Sequence, residues 1–88
     1  MMKLDVRFDE AKATLVLQKH GVRMEAVKAE ILNGNFKIAD VMNQKDHPGQ
    51  KMFVVKIDDY AVCAPFVIDN EEGYIFLKTA FKARLFNK

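Results

Sequence analysis

Short apolar runs separated by acidic turns dominate the second half of the chain. Residues Met52–Ile57 and Ala61–Ile68 are rich in Val, Ile and Phe and flank the dipeptide Asp58–Asp59. This is the pattern of two strands joined by a tight turn. Asn70–Gly73 then turns the chain into a third run, Tyr74–Phe81. The pattern predicts an antiparallel meander whose apolar face must be covered by other elements.

The first part of the chain begins with an alternation of apolar and polar residues over Lys3–Phe8, typical of a half-buried strand. Asp9 then suits the N-cap of a helix, and Gly21 suits its C-terminal end. The pattern between them predicts a helix from about Glu10 to His20. Its inward positions repeat with helical spacing: Ala13, Val16, Leu17 and His20.

A second helix is predicted over Met24–Asn33, with Gly34 at its end. Its inward stripe comprises Met24, Val27 and Ile31. Because the link between the two helices is short, we expect a helical hairpin lying on the sheet. Phe36–Met42 alternates only partly, so it is interpreted as either an irregular segment or a short edge strand. The polar stretch after it, broken by Pro and Gly, is a loop.

Together these elements predict a single α+β domain over residues 1–88. Two N-terminal helices pack on a small antiparallel sheet, and the first strand precedes the helices. A chain of 88 residues buries only about 60–65% of its unfolded surface, so self-association or a partner protein would add to its stability.

The single cysteine, Cys63, excludes an internal disulfide framework and fits a reducing cytosol. Its place in an apolar strand predicts a buried packing residue. The N-terminus lacks an apolar signal region, and no run approaches the roughly 18 residues that cross a bilayer. We therefore expect a cytoplasmic protein that does not span a membrane.

Charge is distributed unevenly, although the net charge is only +2. From Lys78 to the end the chain has three Lys, one Arg and no acidic residue. Such a basic strip suits a polyanion or an acidic partner protein. A solvated basic end without a partner is the alternative interpretation.

The familiar catalytic and metal-binding motifs are missing from the sequence. His20 and His47 are far apart and accompany one cysteine, so no metal and no cofactor is expected. Each histidine also has a simpler interpretation, as a helix-end residue and a loop residue.

The remaining chemistry consists of cations and aromatic rings. A metal-free ribonuclease needs groups that move protons and groups that offset phosphate charge, and Lys, Arg, His and Tyr can share these roles. The candidates are Lys19, His20, Lys51, Tyr60, Tyr74, Lys78, Lys82 and Arg84.

Three stretches resemble BrnT-family toxins. FDEAKATLVLQKHGV, residues Phe8–Val22, resembles the opening of that family, in which a helix ends in a basic residue, His and Gly. HPGQKMFVVKIDDYAVCAPFV and IFLKTAFKAR resemble the later loop, hairpin and Leu–Lys–Thr strand. The resemblance covers nearly the whole chain and is loosest over Phe36–Lys45.

The resemblance implies a RelE-like fold and the toxin half of a type II toxin–antitoxin pair. Such a toxin is a ribonuclease that blocks translation and is neutralised by a DNA-binding antitoxin. The residues that match by position are Lys19, His20, Lys51, Lys78 and Arg84. The sequence departs from the family pattern at the opening of the second helix and near the C-terminus, where it has Arg23, Lys82 and Leu85.

The resulting hypothesis is an RNA-cleaving toxin with assigned roles. Arg84 and Lys78 stabilise the phosphate, Lys51 positions it, and His20 is the candidate proton-transfer group. The residues assigned to RNA binding are Lys82, Lys19 and Tyr60. Two alternatives keep the fold: a non-catalytic interaction module, and a gyrase-directed toxin of the ParE type.

Overall fold

The computed structural model describes residues 5–41, 45–46 and 49–83, which form two helices and one mixed sheet of six strands. The α+β class and the position of the first strand before the helices are confirmed. In chain order the elements are β1 (Val6–Phe8), α1 (Glu10–His20), α2 (Met24–Leu32), β2 (Lys37–Asp40), β3 (Lys51–Ile57), β4 (Tyr60–Asp69), β5 (Tyr74–Leu77) and β6 (Phe81–Lys82).

Some predictions fall outside the described residues. They concern the start of the first strand at Lys3 and Leu4, the loop residue His47, the tail beyond Ala83, and with it the role of Arg84.

Helix α1 begins and ends where its sequence predicts. The Asp9 carboxylate accepts hydrogen bonds from the backbone N–H groups of Ala11 (2.8 Å) and Lys12 (3.2 Å). At the other end Gly21 adopts φ 66°, and its N–H donates to the Leu17 carbonyl at 3.0 Å. This left-handed conformation favours glycine, because a Cβ there would crowd the following carbonyl.

The predicted inward stripe of α1 is only half correct. Ala13 and Val16 are buried, but Leu17 and His20 are exposed. The buried face of this helix is narrow and ends before its last turn, so Leu17 lies on the flank and His20 lies past the covered part. In α2 the predicted stripe of Met24, Val27 and Ile31 is buried as expected, although the helix ends one residue earlier.

The β3–β4 hairpin has the two-residue turn that the sequence predicts. Asp58 and Asp59 both have positive φ, 52° and 65°, which defines a type I′ turn between the paired residues Ile57 and Tyr60. Aspartate tolerates this conformation better than most residues because its short polar side chain bonds locally. The second turn is also confirmed, with Gly73 at φ 78°.

The prediction of a purely antiparallel sheet is wrong, because β1 runs parallel to β5. Val6 pairs with Ile75, and the Ile75 N–H donates to the Asp5 carbonyl at 2.8 Å. The strand order is β1-β5-β4-β3-β2, with β6 pairing with β4. The short alternating pattern of β1 does not indicate whether it pairs in a parallel or an antiparallel direction. That depends on its partner β5, which lies more than 60 residues later in the chain.

The third run of the meander is two strands rather than one. Leu77 pairs with Phe66 and Phe81 with Cys63, so residues 77–81 advance one more position than the β4 residues opposite them. This extra residue is a β-bulge. It lies opposite Pro65, which accepts a hydrogen bond from the Lys78 N–H at 2.9 Å but has no N–H to return.

Apolar side chains gather in two clusters on opposite faces of the sheet. The main cluster contains the buried residues of both helices together with strand residues such as Phe53, Val55 and Val62. The smaller cluster holds Met52, Cys63 and Ala83 on the other face. The prediction that Cys63 is buried is therefore confirmed. Phe36–Met42, left open by the sequence, contains the edge strand β2.

Candidate functional site

Lys82 and Tyr60 lie side by side at the end of the sheet where the β3–β4 hairpin turns. Lys82 pairs across the sheet with Val62, a buried member of the main cluster, so its side chain is on that face. Its Nζ atom lies 5.1 Å from the centroid of the Tyr60 ring, within the range of a cation–π contact. Tyr60 is 43% exposed, so solvent and ligands reach the ring.

The C-terminal end of α1 lies next to this pair. A Cβ built on Gly21 would lie 4.0 Å from the Nζ atom of Lys82, so the ammonium group approaches the glycine backbone closely. The partial negative charge of a helix C-terminus favours a cation at this place. Lys19 and His20 occupy the last turn of the same helix and are exposed. We call Lys19, His20, Tyr60 and Lys82 the α1-end cluster.

A shallow groove of about 850 Å³ extends from Tyr60 along the free edge of β3. It exists because β3 continues past its last pairing with β2, between Lys37 and Val54. Lys37 and Lys56 line it, together with Asp59 from the turn. Neither lysine was among the site residues predicted from the sequence. A two-residue turn at Asp58–Asp59 pairs Lys56 with Ala61, the neighbour of Tyr60, and this register could have indicated Lys56.

Lys51 and Lys78 lie at the other end of the sheet. Both line a second groove, of about 530 Å³, together with apolar residues that include Ile38, Phe66 and Ile68. Lys51 forms an ion pair with Asp40, its cross-strand neighbour on β2. The two lysines flank β4 from opposite sides, so their backbones are about 10 Å apart.

The predicted catalytic residues therefore do not converge in the structure. Lys51 pairs with Phe66, whereas Lys82 pairs with Val62 of the same strand. Phe66 and Val62 are four residues apart along β4, which corresponds to about 13 Å. Of the seven predicted site residues the structure brings four to one end of the sheet and two to the other, and Arg84 lies outside the described residues.

Two further kinds of group bear on the chemistry of the described residues, namely clustered metal ligands and the Cys63 thiol. Residues 5–41, 45–46 and 49–83 contain no group of three or more His, Cys, Asp or Glu side chains arranged to hold a metal ion. Burial raises the pKa of the Cys63 thiol, so the reactive thiolate is disfavoured. The α1-end cluster instead offers cations, an aromatic face and an imidazole, which suit binding to a phosphate-rich ligand with exposed bases.

Comparisons of this chain with protein-family models, with curated proteins and with solved structures found no match. Among the described residues, no helix is both long and apolar enough to cross a membrane.

Proposed function

We propose that this protein is the toxin component of a type II toxin–antitoxin system and inhibits translation by metal-independent cleavage of RNA. The observation that carries the proposal is the position of Lys82 against Tyr60 and the end of α1. That arrangement supplies a cation for a phosphate and a ring for a base within one small surface. The sequence resemblance to BrnT-like toxins supports the assignment through Lys19 and His20, which match that family by position, whereas Lys82 is a departure from its pattern.

The proposal includes a RelE-like architecture, with the two helices packed as a hairpin on one face of the sheet. Its support is the main cluster, in which Val27 and Ile31 of α2 share buried contacts with strand residues such as Phe53. In this arrangement α1 delivers its basic last turn to the end of the sheet that holds Tyr60 and Lys82.

Cleavage of RNA without a metal follows from ordinary proton transfers. The 2′-hydroxyl loses its proton and its oxygen attacks the adjacent phosphorus, while the bond to the 5′-oxygen breaks and that oxygen takes up a proton. In our proposal His20 takes part in these proton transfers, and Lys82 offsets the negative charge of the phosphate in the transition state.

The other cluster residues bind RNA in this proposal. Tyr60 stacks on a base, and Lys19 contacts a neighbouring phosphate. Lys51 and Lys78, at the far end of β4, hold phosphates further along the RNA rather than the one that is cleaved. Arg84 follows the last described residue and stays a predicted phosphate ligand.

Induced expression of the chain in a bacterial host tests the proposal, with growth and bulk RNA integrity read together. We expect growth arrest with fragmented RNA, and loss of both in His20→Ala with Lys82→Ala. The matched control is Lys12→Ala, which removes an exposed cation from the first half of α1. Arrest with intact RNA would contradict ribonuclease activity and point to another target, such as gyrase.

A second candidate function is a non-catalytic module of the same fold that binds a partner protein. The observation in its favour is that Lys51 and Lys78 line a groove at the other end of the sheet from Lys82, which leaves only part of the family's residue set at the α1-end cluster. Soluble, folded protein that arrests neither growth nor translation would favour it. A neighbouring gene for a small DNA-binding antitoxin would instead favour the toxin.

A further inference from the structure

The outer edge of β2 is open within the described part of the chain. The sheet ends at this strand, and none of the other described strands pairs with its outer side. An open edge presents backbone N–H and C=O groups that can pair with a further strand. Which residues present them follows from the pairing with β3.

The direction of the backbone groups is fixed by one hydrogen bond. The Val41 N–H donates to the Gln50 carbonyl at 3.0 Å, so the backbone N–H and C=O groups of Val41 face β3. Along one strand of an antiparallel ladder, the backbone groups of alternate residues face the same neighbour. The N–H and C=O groups of Ala39 and Lys37 therefore also face β3. The N–H and C=O groups of Ile38 and Asp40 therefore point outward, away from the sheet.

Ile38 also leaves an apolar side chain at this edge. It pairs with Phe53, a buried residue of the main cluster, so it lies on the same face of the sheet. Nevertheless 53% of it is exposed. Both grooves described above include Ile38 in their walls, so this residue is the point at which they meet.

We propose that β2 pairs in antiparallel fashion with β2 of a second copy of this chain, with Ile38 of both copies at the two-fold axis. A two-fold axis perpendicular to the sheet keeps each face continuous, so residues that meet must share a face. In this register Ile38 meets itself as a hydrogen-bonded pair, and Phe36 lies opposite Asp40. Lys37 lies opposite Ala39 on the other face.

This register suits a second copy because it places no like charges directly opposite each other and covers the exposed Ile38 side chains with one another. The paired edge is short, since β2 has four residues. We therefore expect a dimer that forms and dissociates with concentration rather than an obligate one. The proposal does not depend on ribonuclease activity, because the edge is separate from the α1-end cluster.

Cross-linking tests the register, with Ile38→Cys compared with Leu15→Cys. The two side chains are similarly exposed, 53% and 47%, but Leu15 lies on α1. Facing residues of a hydrogen-bonded pair have Cα atoms about 5.5 Å apart, which a disulfide can span. Under mild oxidation we expect a covalent dimer for Ile38→Cys only, while the buried Cys63 stays unreacted in both variants.

Sedimentation of the wild-type protein over a range of concentrations supplies the second measurement. We expect a monomer–dimer equilibrium, and Ile38→Glu should raise its dissociation constant about tenfold because two carboxylates would face each other at the axis. Three results overturn the proposal: a wild-type monomer at all concentrations, equal cross-linking of the two cysteine variants, or a dimer unaffected by Ile38→Glu. A wild-type protein that dimerises in this way but does not cleave RNA would count against the proposed function and not against the dimer.

Discussion

At the scale of single residues, Lys82 has the most informative surroundings in the molecule. Its ammonium group lies against the Tyr60 ring and beside the glycine that ends α1. A side chain on Gly21 would strain the backbone at φ 66° and bring extra bulk close to that ammonium group. Gly21 therefore has two roles, because it ends α1 and leaves room for the Lys82 ammonium group.

Substitution of Lys82 and Tyr60 should separate charge from stacking. We expect Lys82→Ala and Tyr60→Ala each to weaken binding of single-stranded RNA roughly tenfold, because a phosphate contact or a stacked base is worth about 1–3 kcal/mol. Tyr60→Phe keeps the ring and should bind nearly as well as wild type. Fluorescence anisotropy with a labelled RNA measures these changes.

The control for these substitutions is Lys12→Ala, which removes the same charge from the far part of α1 and should leave RNA affinity nearly unchanged. An equal loss of affinity in Lys12→Ala and Lys82→Ala would mean that the cluster contributes only general positive charge. Circular dichroism of each variant verifies that the fold is intact.

At the scale of elements, the β3–β4 hairpin determines both the shape of the sheet end and its charge. Its type I′ turn puts Tyr60 at the first position of β4 and places two carboxylates near the basic surface. Asp59 lines the same groove as Lys56, so the turn brings a negative charge to that groove. Aspartate tolerates positive φ in this turn, but Asn and Gly would adopt it with less strain. The two negative charges also oppose the binding of an anion.

Replacing the turn by Asn-Gly should improve both properties. In Asp58→Asn with Asp59→Gly, residues that favour positive φ occupy both turn positions, so the free energy of unfolding should rise by about 1 kcal/mol. RNA affinity should rise as well, because two nearby negative charges are lost. Urea denaturation and RNA anisotropy measure the two effects.

The matched control for the turn is Glu71→Gln with Glu72→Gln, which removes the same charge from the turn between β4 and β5. In that turn the Asp69 carboxylate accepts hydrogen bonds from the backbone N–H groups of Glu71 and Glu72. Both bonds are kept in the double variant, because only the side chains change. Equal gains in RNA affinity in both double variants would show that net charge rather than the position of the turn is responsible.

At the scale of the whole molecule, overall charge is too small to attract a nucleic acid by itself. The net charge is +2, so any preference for RNA must come from local arrangement of the lysines. Lys19 and Lys82 lie in the α1-end cluster, and Lys51 and Lys78, the other lysines assigned to RNA contacts, lie at the far end of β4.

The salt dependence of RNA binding counts these contacts. If all four lysines contact phosphates of a single strand, the logarithm of the association constant should fall with the logarithm of salt concentration with a slope of about −3. Lys82→Ala should make the slope shallower by about 0.7, since one contact is lost. A slope unchanged in this variant would exclude Lys82 from the phosphate contacts.

Local patterns determined much of this fold before any tertiary information. The N-cap at Asp9, the glycine at the end of α1 and the tight turn at Asp58–Asp59 are all visible in the sequence, because each depends on a few neighbouring residues. The burial of Cys63 was equally readable from its apolar strand. The bounds of α1 were predicted correctly for the same reason.

Tertiary structure alone decided how distant segments meet. The parallel pairing of β1 with β5, the bulge opposite Pro65 and the separation of Lys51 and Lys78 from Lys82 depend on register between strands far apart in the chain. Residue types named the candidate cations, but register decided which of them share a surface. A shift of one residue moves a side chain to the other face of a sheet, and no local pattern records that choice.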